Sequence, residues 1–303
     1  IKKNIFLFLF SLLLILYSIL RSLILLIYNR PNIIFGMGGY ASFPICIAAS
    51  ILKIDFIIYE NNLIIGKANK FLLPFAKKII VSFKEVEGIS KKYQNKIKEI
   101  GNIIKKEIIN FPKKKALLKK NHNNFQILIL GGSQAAKIFA EKLPHIFKLC
   151  SEQGIKFKIY QHCLPNQNEA LKLFYQSSNI DYEIFNFSNK LENYFSKVNL
   201  AITRSGSSIL AELTNANVPF ITVPLPSSAD NHQLKNAIYY KEKNLSYLIE
   251  EKDLNTKLFS FINEIYRDNS ILDKILQNQR QYSDKNVYNN VDQLLKDIIH
   301  EEN

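Results

Sequence analysis

The chain has 303 residues, 47% hydrophobic and 22% charged, enough for two cored domains at about 100–200 residues each. Those fractions exclude a disordered chain, a collagen-like repeat and a polytopic membrane protein. Forty Lys+Arg against 26 Asp+Glu leave +14, which favours polyanionic partners: nucleic acid, an anionic membrane face or phosphorylated small molecules. Arg stands only at 21, 30, 204, 267 and 280, and the Lys are scattered apart from a cluster at 113–120. With no aromatic-interleaved basic face beside them, no nucleic-acid partner is expected. Cys46, Cys150 and Cys163 form no C-x-x-C pair, which speaks against a disulfide framework or a zinc site and for a reducing compartment.

Residues 5–20 run apolar after Lys2 and Lys3, pause at Arg21 and resume to Tyr28. The uninterrupted part has 16 residues, short of the ~20 needed to cross a bilayer. A helix docked at a membrane interface is the favoured reading, with a spanning anchor and a buried core helix as alternatives. Lys2, Lys3, Arg21 and Arg30 would then meet anionic headgroups. From Asn32 onward, short β-branched runs at 32–35, 56–59 and 78–82 alternate with segments long enough for helices, the signature of a parallel sheet. Residues 109–124 break the pattern with Pro112 and the Lys cluster and read as a linker. The alternation restarts at 126–130 and continues through 156–160, 181–185, 199–203 and 220–223. The predicted division is therefore 1–108, a linker at 109–124, 125–284, and a C-terminal helix at 285–303 packing back on the first domain. Helical period marks the end of the chain, with Leu254, Leu258, Ile262 and Ile265 on one stripe and Val291, Leu295 and Ile298 on another.

Four strand-to-loop junctions could carry chemistry. Gly36-Met37-Gly38-Gly39-Tyr40-Ala41 reads as G-x-G-x-x-A, and Glu60 follows Ala41 by 19 residues, a spacing compatible with a nicotinamide dinucleotide site. The bland alternative is a glycine-rich turn that packs helix on strand. Gly131-Gly132-Ser133-Gln134-Ala135-Ala136-Lys137 also follows a strand and opens a helix, as an anion site would; it lacks the G-K-[ST] ending of a P-loop. Arg204-Ser205-Gly206-Ser207-Ser208 leads into a helix in which Glu212 could meet ribose hydroxyls. Val223-Pro224-Leu225-Pro226 leads through Asp230, Asn231, His232 and Gln233 to Asn236, a cluster rich in hydrogen-bonding side chains. Two glycine loops, one per domain, favour a two-domain transferase over a single dinucleotide-binding domain.

Taken in order, GMGGYASFP, YENN (59–62), GN (101–102), GGSQAAK, ITRSGSSILAEL and VPLPSSADNHQLKNA resemble the MurG family across about 30–300. The resemblance implies an α/β protein with two Rossmann-like domains facing across a cleft, of the GT-B glycosyltransferase type. It implies inverting transfer of N-acetylglucosamine from UDP-GlcNAc to the muramoyl C4 hydroxyl of lipid I, giving lipid II, in peptidoglycan and cell-wall biosynthesis tied to cell shape and division. The expected place is the cytoplasmic face of the bacterial inner membrane, as a peripheral protein on an anionic surface. No cofactor and no metal are expected, since no D-x-D motif is present. By the same resemblance Ser133 and Gln134 would face the donor diphosphate, Glu212 would hold the ribose, and Arg204 would shape the nucleotide pocket. His232 and Gln233 would lie along the sugar and diphosphate, and Asn62 would reach the sugar. Gly36, Gly38, Gly39 and Tyr40 would form the acceptor-side loop. Lys105 stands where the family has an Arg after G-N-P-V, a point charge in place of a planar fork.

The family's opening G-G-T-G-G-H loop does not occur in these residues, and the first residue is Ile1. The expectation is a truncated sequence whose N-terminal domain is incomplete. Glu60 is then the nearest carboxylate candidate for the general base. Of the histidines, His122, His145 and His300 receive no role, and His162 ends a strand near the ligand edge. Two rival readings stand beside the transferase: a nicotinamide-dependent oxidoreductase using the 36–41 loop and Glu60, and an inactive membrane-associated relative serving as a scaffold.

Overall fold

The computed structural model describes residues 2–112 and 125–300, the side chains of 2–6, 133–136 and 269 excepted. It divides into two compact units, 1–103 with 286–303 and 104–285. The linker reading of 109–124, with its Lys cluster and His122, lies largely outside the described residues.

The first unit opens with α1 (Lys2–Asn29), followed by β1 (Ile33–Gly36), α2 (Gly39–Ile51), β2 (Asp55–Glu60), α3 (Lys67–Leu72), β3 (Lys78–Val81) and β4 (Ile97–Glu99). Its four strands pair in parallel in the order β1-β2-β3-β4. Strands covered on both faces read as continuous apolar runs, and Phe56, Ile57, Ile58, Ile79, Ile80 and Val81 are all buried. Arg21 does not interrupt α1; its guanidinium lies 5.9 Å from the Tyr17 ring centroid, and the helix runs unbroken for 28 residues. The helix packs on α2, with Leu26 buried and Leu23 half-buried in the unit's core. Most of the remainder is bare: Leu7–Asn29 has a mean hydropathy of 2.4 and is 6% buried. By length and composition this 23-residue stretch suffices to cross a membrane.

The second unit begins with α4 (Lys106–Ile109), whose first three residues the sequence reading places in the first domain and whose last it places in the linker. Burial explains the difference, because Ile108 and Ile109 are buried and α4 packs on α8 (Ser207–Asn215). The elements around that helix are β5 (Phe125–Leu130), α5 (Gly132–Glu152), β6 (Phe157–His162), α6 (Asn168–Ser177), β7 (Asp181–Phe185), α7 (Glu192–Phe195) and β8 (Leu200–Thr203). After α8 come β9 (Phe220–Thr222), α9 (His232–Glu242), β10 (Tyr247–Leu248), α10 (Phe259–Arg267) and α11 (Asp273–Gln281). Its six strands are all parallel in the order β10-β9-β8-β5-β6-β7, the doubly wound arrangement whose order reverses between β5 and β8. Phe139, Leu143, Ile146, Phe147 and Cys150 place one helical stripe of α5 in the core. The Leu254–Ile265 stripe is buried as read, although extended backbone at Asp268 divides the helical tail between α10 and α11. A last helix, α12 (Val287–His300), belongs to the first unit and buries Val287, Leu294 and Ile298.

Candidate functional site: a donor cavity at the sheet's switch point

In the first unit, the Gly36–Tyr40 loop joins β1 to α2, and its glycines answer to packing. A Cβ at Gly36 would meet Cys46 Sγ at 2.8 Å, and one at Gly38, where φ is +81°, would meet the Tyr59 carbonyl oxygen at 2.8 Å. Helix α2 can therefore sit on its strands only because these positions lack side chains. Tyr40 is exposed. The Glu60 carboxylate is buried and accepts from the Asn62 amide at 3.0 Å, Asn62 Nδ2 at 3.1 Å, the Gly66 amide at 2.8 Å and Asn69 Nδ2 at 2.9 Å. Four donors occupy both oxygens, so Glu60 organises the β2–α3 loop and orients Asn62, and no lone pair is left over for an acceptor's proton or a ribose hydroxyl.

In the second unit, a cavity of about 470 Å³ opens at the C-terminal ends of the strands, where β5 and β8 diverge. This is the place at which open α/β sheets bind ligands. Gly131 and Gly132 form one wall, with Gly132 at φ +63° opening the 21-residue α5; the helix N-terminus offers amide donors and positive dipole to an anion. Ser133 and Gln134 lie in the first turn of that helix, with side chains outside the described set. Thr203, Arg204, Gly206 and Ile209 form a second wall, and Leu225 and Gln233 a third. Phe185, Phe187, Ser188 and Leu191, from β7 and the loop after it, make an apolar side suited to a planar base.

Hydrogen bonds decide how these groups face a ligand. Gln233 Oε1 accepts from the Ser205 amide at 3.2 Å and the Leu225 amide at 3.0 Å, so its carboxamide is oriented with Nε2 as the remaining donor. Arg204 is buried, with Nη1 donating to the carbonyls of Val223 (3.1 Å) and Pro224 (3.0 Å) and Nη2 to Glu251. His232, at the start of α9, bonds the Ala229 carbonyl through Nδ1 at 2.7 Å; a carbonyl only accepts, so Nδ1 carries the proton. The preceding Asp230 and Asn231 both have positive φ, 50° and 56°, an unusual pair for non-glycine residues.

Glu212 stands one turn inside α8 and half-buried, outside the cavity wall itself. Burial pushes its carboxyl up, Glu192 adds to the rise and Lys105 opposes it. Lys105 donates from Nζ to the Asn189 carbonyl at 2.9 Å, which brings it together with Glu212 and Glu192 beside the 188–191 loop. His162, read from the sequence as ending a strand near the ligand edge, lines the cavity and bonds the Asn186 carbonyl through Nε2 at 2.9 Å. Burial lowers its imidazole below the ordinary value, against the carbonyl's opposing pull. The aromatic wall escapes sequence reasoning because Phe185 reads only as the end of a strand and Phe187 sits in the following loop, which has no glycine motif. The strand order supplies the signal, since β7 lies two places from the switch point on the β6 side.

Two parallel α/β units, one carrying an anion-ready loop and an apolar base-sized wall at its switch point, are the architecture of nucleotide-sugar enzymes of the GT-B fold. Residues 126–294 match the glycosyltransferase family 28 C-terminal domain and residues 2–81 the family 28 N-terminal domain. A Pelagibacter ubique UDP-N-acetylglucosamine–N-acetylmuramyl-(pentapeptide) pyrophosphoryl-undecaprenol N-acetylglucosamine transferase is 33% identical over 99% of this chain and 83% of its own length. The Rickettsia canadensis protein of the same name is 34% identical over 91% of this chain and 77% of its own. The fold is shared with the crystal structure of Acinetobacter baumannii MurG, at a TM-score of 0.74 and 23% identity, covering 93% of this chain and 80% of that one. The chain belongs to glycosyltransferase family 28 and, within it, to the MurG family.

Proposed function

We infer that this chain transfers N-acetylglucosamine from UDP-GlcNAc to the C4 hydroxyl of the muramoyl sugar of lipid I, forming lipid II. The observation that carries this reading is the cavity at the β5/β8 switch point, with a helix N-terminus, an oriented Gln233 amide and a phenylalanine wall on its sides. A uracil fits against Phe185 and Phe187, the diphosphate against the Gly131–Gly132 turn with Ser133 and Gln134, and the sugar within reach of Gln233 and His232. Glu212 takes the ribose hydroxyls and Arg204 shapes the wall.

In the reaction the acceptor oxygen forms a bond to the donor's anomeric carbon while the bond from that carbon to the β-phosphate oxygen breaks. The configuration inverts, the hydroxyl proton passes to a base, and UDP departs. Negative charge grows on the departing diphosphate, and the α5 terminus is oriented to receive it before the reaction starts. Lys105, a point charge in place of a planar fork, adds electrostatic attraction without a bidentate fit. The Gly36–Tyr40 loop with Gly38 and Gly39 takes the acceptor side, and Asn62, which Glu60 holds in place, is assigned to the donor sugar.

Membrane docking belongs to the same proposal. The bare side of α1 and the ring cluster of Phe43, Phe71 and Phe75, with centroids 5.5 and 6.4 Å apart, supply apolar contact. Phe71 and Phe75 are more than half exposed, and the +14 charge favours an anionic surface on the cytoplasmic side. The test of the activity is a transfer assay: UDP-GlcNAc and lipid I in detergent, with the product identified by mass spectrometry. The expected product is lipid I carrying one added N-acetylhexosamine; transfer of the sugar to water alone, or turnover of a different nucleotide sugar, would overturn the reading.

A further inference from the structure

The last ladder bond between β8 and β9 is Val223 N to the Thr203 carbonyl, at 2.8 Å. Beyond it the two chain segments diverge around the donor cavity, and two side chains bridge them. Arg204 reaches from the β8 side to the Val223 and Pro224 carbonyls at 3.1 and 3.0 Å. Gln233 returns the connection, its Oε1 accepting from Leu225 on one segment and Ser205 on the other. Asn236 Nδ2 fixes the Ser205 carbonyl at 3.1 Å. Arg204 therefore determines where Pro224 points, Pro224 sets Leu225, and Leu225 aims the Gln233 amide.

What holds Arg204 is Glu251, in the short turn after β10 and outside the cavity wall. The pair is sheltered, with side-chain exposures of 7% for Arg204 and 22% for Glu251. On the opposite side the guanidinium lies 5.0 Å from the Phe139 ring centroid. Among the described residues its buried Nε has no partner, so its hydrogen bonds run through Nη1 and Nη2. A sheltered guanidinium stripped of its counter-charge does not stay where it was; it moves towards water or another acceptor. We propose that Glu251 is a positioning residue for the donor site, acting through Arg204 and the Pro224–Leu225 segment on the Gln233 amide. The proposal rests on the donor reading of this cavity. It gives a residue some distance along the chain, with no ligand contact of its own, control over donor affinity.

The test is a double-mutant cycle read by calorimetry, with UDP-GlcNAc titrated into the full chain, Glu251→Ala, Gln233→Ala and the double variant. Glu251→Gln serves as the conservative control and circular dichroism as the check on the fold. The expected result is a donor dissociation constant about tenfold higher for Glu251→Ala and under threefold higher in the Gln233→Ala background, because coupled residues are non-additive. Glu251→Gln, which keeps an acceptor for Nη2, is expected to recover most of the affinity. Equal effects in both backgrounds would overturn the proposal, as would a Glu251→Gln loss as large as that of Glu251→Ala. A loss that only follows a lowered melting temperature would overturn it too. If the unaltered chain does not bind UDP-GlcNAc, the donor reading fails and the proposal with it; if it binds and Glu251 makes no difference, only the proposal fails.

Discussion

Gln233 shows how much one side chain's partners decide. Two backbone amides hold its oxygen, so the group facing the cavity is a donor, as a diphosphate or sugar hydroxyl requires. Gln233→Glu replaces that donor with a carboxylate, and the UDP-GlcNAc dissociation constant measured by calorimetry should rise at least about tenfold, the cost of a lost charge-assisted bond plus repulsion. Glu212 supplies a pH dependence. Burial raises its carboxyl above the ordinary 4.5, and the ionised form is the better acceptor for ribose hydroxyls. Donor affinity should therefore decline on mild acidification, at pH values where an unperturbed carboxylate is still fully charged, and Glu212→Gln should flatten that profile. The sign for stability is opposite: the folded state holds this proton more tightly than the unfolded one, so acidification through the same range favours the fold at this site. Arg204 and Gln233 line the cavity and stand in motifs that follow strands β8 and β9 in the sequence, whereas Glu212, one turn inside α8, lies outside its wall. Glu60 was legible as a carboxylate but not in its role, since the four donors around it converge from Asn62, Gly66 and Asn69 only once the loop has folded.

Among the elements, β2, β3, β5 and β8 were readable from their apolar runs because both faces are buried. The edge strands β4 and β10, three and two residues long, were not: too few residues are paired to leave a pattern. Helix α1 was seen as two runs split by Arg21, yet one charged residue on a bare helix face costs little and does not end the helix. The β1–α2 junction gives a sharper test. Gly38→Ala places a Cβ 2.8 Å from a backbone oxygen at positive φ and should cost about 1–3 kcal/mol, read as a lower melting temperature of the first unit. Gly39→Ala has positive φ but nothing within 4 Å, and the cost should stay near ~1 kcal/mol. In α5, Phe139 packs in the core and under the Arg204 guanidinium. Phe139→Ala should cost about 3–5 kcal/mol of stability by denaturant titration and weaken UDP-GlcNAc binding in the variant that remains folded.

At the scale of the molecule, both units carry buried thiols: Cys46 in the first, Cys150 and Cys163 in the second. Burial pushes Cys46 up to about 11 and Cys150 to about 12, so alkylation at pH 8 should be slow in the native protein. In a urea series, modification sites identified by mass spectrometry should then report each unit's opening separately. Simultaneous labelling of Cys46 and Cys150 at every urea concentration would show that the two units unfold as one. The excess positive charge and the apolar α1 predict binding to vesicles containing anionic lipid that salt weakens. Sedimentation with neutral and anionic vesicles checks it. Chain length, alternation of elements and the motif series made the two-unit α/β architecture legible in the sequence, whereas the boundary at Ile104 was not, because it depends on Ile108 and Ile109 burying against the second unit.

The proposed transfer requires the switch-point cavity of the second unit to bind UDP-GlcNAc. The measurement that tests it most directly is calorimetric titration of the chain with UDP-GlcNAc, with UDP-glucose and NAD as competitors. The expected result is saturable binding of UDP-GlcNAc, weaker binding of UDP-glucose, no binding of NAD, and UDP-GlcNAc binding at least about tenfold weaker in Gln233→Glu. Binding of NAD, or UDP-GlcNAc binding that Gln233→Glu leaves unchanged, would contradict it.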